Sequence, residues 1–148
     1  MHAKAAPVVL VLLLVSCGPK YDIKTNPVGA IAFSAARIEQ SVGKVQRIVA
    51  AAETAGILPT DKARVVMKAS VTISEQGLNL ADALEQLDKL PLTDIGRMPL
   101  LEKVKTILAV INIALFEMVA PITDDLTRGN VVAELQQINS ELLKVGAR

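Results

Sequence analysis

The chain carries one cysteine and one histidine in 148 residues, no tryptophan, two phenylalanines and a single tyrosine. These shortages exclude a good deal. The histidine is His2 and the cysteine is Cys17, so the chain beyond residue 17 has neither imidazole nor thiol. Histidine-based acid–base catalysis, cysteine nucleophiles, disulfides and the usual zinc sites are therefore not expected there. The lack of rings also removes the aromatic cross-strand pairs that stabilise β-sandwiches. What replaces them is Ala, Val, Leu and Ile, within a hydrophobic share of 51%, and small aliphatic side chains suit closely packed helices. A chain of this length forms one domain and buries roughly two-thirds of its unfolded surface, enough for a core without metal or disulfides.

An excess of either charge is missing too. Sixteen Lys and Arg stand against fifteen Asp and Glu. Binding to phosphate backbones needs a basic face, so nucleic acid is not an expected partner, and nothing draws the whole chain to anionic lipid.

Long apolar runs are scarce, and the first is short. Residues 1–17 read MHAKAAPVVLVLLLVSC, with Lys4 as the positive start and an apolar stretch from Ala5 to Val15 broken only by Pro7. About 11 apolar residues is signal-peptide length, whereas a transmembrane helix needs about 20. The stretch ends on Leu14-Val15-Ser16-Cys17. This tetrapeptide, at this distance from a charged start, resembles the lipobox of bacterial lipoproteins. The resemblance covers residues 1–18 and no more. It implies cleavage between Ser16 and Cys17, a diacylglyceryl thioether on Cys17 and acylation of the new amine; two or more acyl chains give stable anchoring where one gives marginal binding. It also implies a location in the bacterial cell envelope. Gly18 stands where an Asp favours inner-membrane retention in Gram-negative lipoproteins, so the periplasmic face of the outer membrane is the expected place. Residues 1–16 then form the signal peptide, residues 17–26 the lipidated cysteine and a polar tether, and residues 27–148 the domain. The tether reaches roughly 30 Å at about 3.3 Å per residue.

Four helices are predicted in the domain. The first begins with Asn26 as cap and Pro27 in first position. It carries Ile31, Ala35, Ile38, Val42, Val45, Val49 and Ala52 at alternating spacings of four and three, and stops at Gly56. The second opens at Thr60, read as its cap, and its seam is Ala63, Val66, Ser70, Ile73, Gly77, Leu80, Leu84 and Leu87; Pro91 ends it. Small residues at Ser70 and Gly77 suggest close helix approach or a local kink. The third starts near Pro99 with the seam Leu101, Val104, Leu108, Ile111, Leu115 and Met118. Ile107, Val110, Ile113, Ala114 and Phe116 widen its apolar surface nearly all round, the mark of a central helix. Residues 122–129 are read as an acidic loop or a short extra turn, and the fourth helix as capped by Asn130 with Val131, Leu135, Ile138, Leu142 and Val145 inside. The fold class is all-α: an antiparallel four-helix bundle, or a long helical hairpin with two shorter helices packed on it. The last helix is the shorter, which leaves one end of the first pair as a candidate contact surface.

Chemistry is sparse. Asn112 and Glu117 are the polar residues in the apolar stretch of the third helix, and stand as candidate buried polar groups. No Glu-x-x-His pattern accompanies them. Asp124-Asp125 falls short of a calcium loop, which spaces several oxygens over 12 residues, and suits helix capping. Gly43-Lys44 lacks the preceding glycine of a phosphate loop. Ser34, Ser41, Ser70, Ser74 and Ser140 have only lysine as a possible base. No enzyme, metal or cofactor is expected. The expected role is a lipid-anchored, non-enzymatic envelope module, held to the membrane through its N-terminal lipid and contacting an envelope protein or a second copy of itself. Alternative readings are a carrier or sensor of a small apolar ligand, and a membrane-active small lipoprotein of mobile-element origin whose third helix enters lipid.

Overall fold

A computed structural model describes residues 26–146; the lipobox, Cys17 and the tether up to residue 25 lie outside the described residues. The fold is all-α: α1 Pro27–Thr54, α2 Thr60–Lys89, α3 Arg97–Val119 and α4 Asp125–Gly146. Polar pairs fix the directions. Ser74 on α2 donates to Glu39 on α1, and Gln46 on α1 donates to Ser70 on α2, so these helices run antiparallel. Arg97 at the start of α3 donates to Leu87 and Leu90 at the end of α2, which sends α3 back along α2. Ser34 and Lys44 on α1 meet Glu141 and Glu134 on α4, so α4 runs antiparallel to α1.

The local signals are those expected at most ends. Asn26 Oδ1 accepts the Gly29 amide at 2.9 Å, ahead of Pro27 in the first turn. Gly56, at φ 71°, ends α1: the Ile57 amide reaches Ala52 O and the Gly56 amide reaches Glu53 O, both at 2.9 Å. That pair of bonds is a Schellman motif, which needs the left-handed conformation at this position. Leu90 is extended before Pro91, as a residue preceding proline tends to be. Two ends differ. Thr60 is the first helical residue of α2 and Pro59 holds the cap position without a side-chain bond; burial of Leu58 sets the chain one residue early. The fourth helix begins at Asp125, with Asp124 Oδ2 accepting the Thr127 amide at 2.8 Å. Asp124 displaces the expected Asn130 cap, so much of the predicted acidic loop is the first turn of a helix.

All four helices contribute to the core, α1 and α2 the most. Val42, Val45, Val49, Val66 and Ile73 are almost wholly enclosed, and each such side chain stabilises the fold by about 1.5–3 kcal/mol relative to exposure. The second-helix seam is buried at every predicted position. The third helix reverses its expectation. Only Ile107, Ile111, Ala114 and Met118 are buried on α3, while Leu101, Ile113 and Phe116 are exposed. It packs along α2 and meets α4 at few points, so one side is covered and its wide apolar surface is left in solvent. α1, between α2 and α4, and α2, between α1 and α3, are the inner helices. The uncovered end expected from a short last helix is modest: α4 has 22 residues to the 28 of α1, and Val28 at the free end is half-exposed.

Gly77 is not demanded by packing. α2 runs unbroken through it, and a Cβ there would lie 3.7 Å from Ile38 Cγ2, an ordinary contact. Gly77→Ala should therefore stabilise the domain by about 0.4–1 kcal/mol through the unfolded chain's lost freedom, while Gly56→Ala should cost about 1–2 kcal/mol at its positive φ. Thermal unfolding checks the pair: the midpoint should rise for the first and fall for the second, each by several degrees.

Candidate functional site

The sequence points to Asn112 and Glu117 as buried polar groups; both are exposed on α3. The buried stripe of α3 faces α2, and these two residues sit on either side of the opposite face. That face carries Ala109, Ile113, Phe116 and Ala120, all exposed, at spacings of four, three and four. Ile113 is 62% exposed and Phe116 74%. Side chains of this size in open solvent form an exposed apolar patch, and burying them against anything apolar is favourable.

The buried carboxylate is Glu141 instead, 1% exposed on α4. Four groups surround it. Its Oε1 accepts from Gln137 Nε2 at 3.0 Å and from Lys144 Nζ at 2.9 Å, and Arg37 Nε stands 3.2 Å away. Its Oε2 accepts from Ser34 Oγ at 3.1 Å. The Arg37 contact is one of charge and distance: its Nε lacks an aligned hydrogen-bond partner, and its guanidinium carbon sits 5.6 Å from the centre of the Phe33 ring. An isolated carboxylate in such a place is costly; paired and hydrogen-bonded, it is tolerated. Gln137 and Lys144 are one helical turn away on α4 itself, while Ser34 and Arg37 come from α1. The cluster therefore ties α4 to α1 in one register. Two more of the serines are bonded in the same way. Ser70 donates to Met67 O and accepts from Gln46, and Ser74 donates to Glu39, so each bonds to a partner other than lysine.

Glu141 lies three residues after Ile138 and four before Val145, on the inward face of α4. That placement is the signal in the sequence from which its burial can be read. Its partners on α1 are about a hundred residues away, beyond any local pattern. Asp124 stands at the start of α4 and caps it; among the described residues no group of three His, Cys, Asp or Glu is placed to hold a metal ion. Nor is any described helix long and apolar enough to cross a membrane. No protein-family model matches the chain, and comparison with curated proteins and with solved structures finds no significant match.

Two expectations follow. Arg37→Met combined with Lys144→Met strands a buried carboxylate and should cost about 3–5 kcal/mol. Glu141→Met removes the buried charge and leaves the cations their exposed ends, for a smaller loss of about 1 kcal/mol. Denaturant midpoints of the two variants give the order, and the reverse order contradicts a buried, charge-compensated Glu141. At α4, the hydroxyl and amide of Thr127 hold the Asp124 carboxyl below its ordinary range. A depressed folded value means stability present at neutral pH and lost as pH falls through that folded value. Asp124→Asn keeps the cap without the titration, so wild type should lose stability relative to this variant on acidification below the usual carboxylate range, as chemical denaturation across pH would show.

Proposed function

We propose that this chain is a lipid-anchored bacterial envelope protein whose helical domain works by contact with another protein and not by catalysis. The observation that carries the reading is the tetrapeptide Leu14-Val15-Ser16-Cys17 after a short apolar run. Its position agrees with where the helical domain starts, since Asn26 caps α1 only nine residues beyond Cys17. The anchor is the acylated Cys17, with Ser16–Cys17 the cleaved bond, and the periplasmic face of the outer membrane the favoured location in a Gram-negative cell.

Two features support a contact role. The acceptor positions of Glu141 are filled by neighbours from α1 and α4, so the best-buried acid in the domain serves packing and register. The stripe Ala109, Ile113, Phe116 and Ala120 presents an apolar helix face to solvent, the form in which helices meet partner helices. An envelope protein or a second copy of this chain is the expected partner.

Intact mass and membrane partition of the expressed protein, wild type beside Cys17→Ala, test the anchor. The wild type should lose residues 1–16, gain acyl mass and pellet with membranes, and the variant should do none of these. A wild type that stays unacylated with its N-terminus intact contradicts the anchor and with it the envelope role.

A further inference from the structure

The two most exposed large hydrophobic side chains among the described residues are Ile95, 90% exposed, and Leu92, 88% exposed. Both lie in the connection between α2 and α3, and Met98 and Leu101, also exposed, follow on the first turns of α3. This connection is held in shape by its own bonds. The Asp94 amide donates to Pro91 O, the Arg97 amide to Asp94 O and the Met98 amide to Ile95 O. The Gly96 amide donates to Asp94 Oδ1 at 2.7 Å. Arg97 then clamps the end of α2, its Nη1 donating to Leu87 O at 2.6 Å and to Leu90 O at 2.8 Å. The loop thus holds Leu92 and Ile95 out from the domain, where an apolar loop free to move would fold them onto α2 or α3.

Its place in the bundle says what it faces. α1 and α2 are antiparallel, so the start of α1 lies beside the end of α2, and the loop after α2 is at the same end of the domain as Asn26. Residues 18–25 are all that separates Asn26 from Cys17. That length of chain reaches at most roughly 30 Å, while the opposite end of the domain, at Ile57, is one length of α2 away, about 45 Å at 1.5 Å per residue. The apolar loop is at the end that the tether holds to the membrane.

We infer that the α2–α3 loop is a second membrane contact: Leu92 and Ile95 enter the interface of the same phospholipid leaflet that holds the acyl chains of Cys17, and the bundle stands on that leaflet with its helices directed away from it. The inference rests on the anchor proposed above. The chemistry of the loop fits the interface. Backbone groups resist leaving water unless they are bonded, and the amides of Asp94, Gly96, Arg97 and Met98 already have partners. The one acid in the loop, Asp94, has an oxygen turned to the Gly96 amide. Apolar side chains of interfacial segments sit about 5–10 Å into the headgroup and acyl boundary, within reach of residues that project from a loop end. The anchor makes the weak contact sufficient: a tethered loop meets the leaflet at high local concentration, so two side chains orient a domain that they would not recruit alone.

The test uses the full lipidated chain in phospholipid vesicles. Cys17 is the only cysteine and is consumed by its thioether, so Ile95→Cys supplies a single free thiol for an environment-sensitive fluorophore, and Ile57→Cys supplies the same label at the far end. Both positions are exposed and lie outside the buried core. Lipids carrying a quencher near the headgroup end of the acyl chain should quench the label at 95, with a blue shift of its emission, and leave the label at 57 unchanged; Leu92→Asp in the Ile95→Cys chain should reverse most of the quenching. Acyl mass and pelleting are measured on the same samples. Pelleting with the two labels quenched alike, or with neither quenched, overturns this inference and leaves the anchor standing. Absence of acyl mass and pelleting overturns the anchor, and the loop contact falls with it.

Discussion

Ile38, Val42, Val45 and Val49 on α1 lie against Val66, Ser70, Ile73 and Gly77 on α2 in a seam of small and β-branched residues, and the other two helices depend on it. α3 is held by α2, α4 is held by α1, and the two outer helices touch little. A core almost without rings has no large side chain to span the width of the bundle. It fills space with small and β-branched side chains, and adds polar bonds at the seam's edge such as Gln46 to Ser70. The same antiparallel seam sets the ends of the domain: it puts the start of α1 and the α2–α3 loop on one side and the α1–α2 turn on the other.

Each outer helix is fixed in a different way. α4 has a narrow apolar stripe and a buried ion cluster, with Glu141 bonded to Ser34 of α1 and flanked by Arg37. A buried carboxylate is poorly satisfied in any other register, so the cluster specifies position more than it adds stability. α3 has no such device. Arg97 pins its first turn to the last carbonyls of α2, Lys103 Nζ stands 3.9 Å from Asp82 Oδ2 on α2, and beyond these it is held by aliphatic contact on one side. Its other side remains apolar and open to solvent, with Ile113 and Phe116 exposed.

The parts of this arrangement that were legible in the sequence are those fixed within a helical turn or two. Asn26 with Pro27, Gly56 and Pro91 mark helix ends through the conformations they permit. The stripes of α1, α2 and α4 name their inward faces because polar residues fill the outward ones. α3 defeated the same method: with Ile107, Val110, Ile113 and Phe116 pointing all ways, periodicity cannot say which side is covered, and only the identity of its neighbour decides. The site followed the same division. Asn112 and Glu117 stood out against an apolar background but face solvent, whereas Glu141 was hidden among the ordinary polar residues of α4, and its burial depends on Ser34 and Arg37 far away in the chain. Asp124 caps α4 ahead of the expected Asn130: Asp and Asn are both good cap residues, and the local sequence does not choose between them.

The dependence of the fold on the α1–α2 seam is tested most directly by native-state hydrogen exchange, resolved by residue. The slowest amides should be those of Val45, Val49, Val66 and Ile73, opening only with global unfolding, while the amides of α3 exchange through an earlier, partial opening that leaves α1 and α2 intact. If the α3 amides around Ile111 and Ala114 outlast those of α1, then α3 is the central helix and the α1–α2 seam is not what holds the domain together.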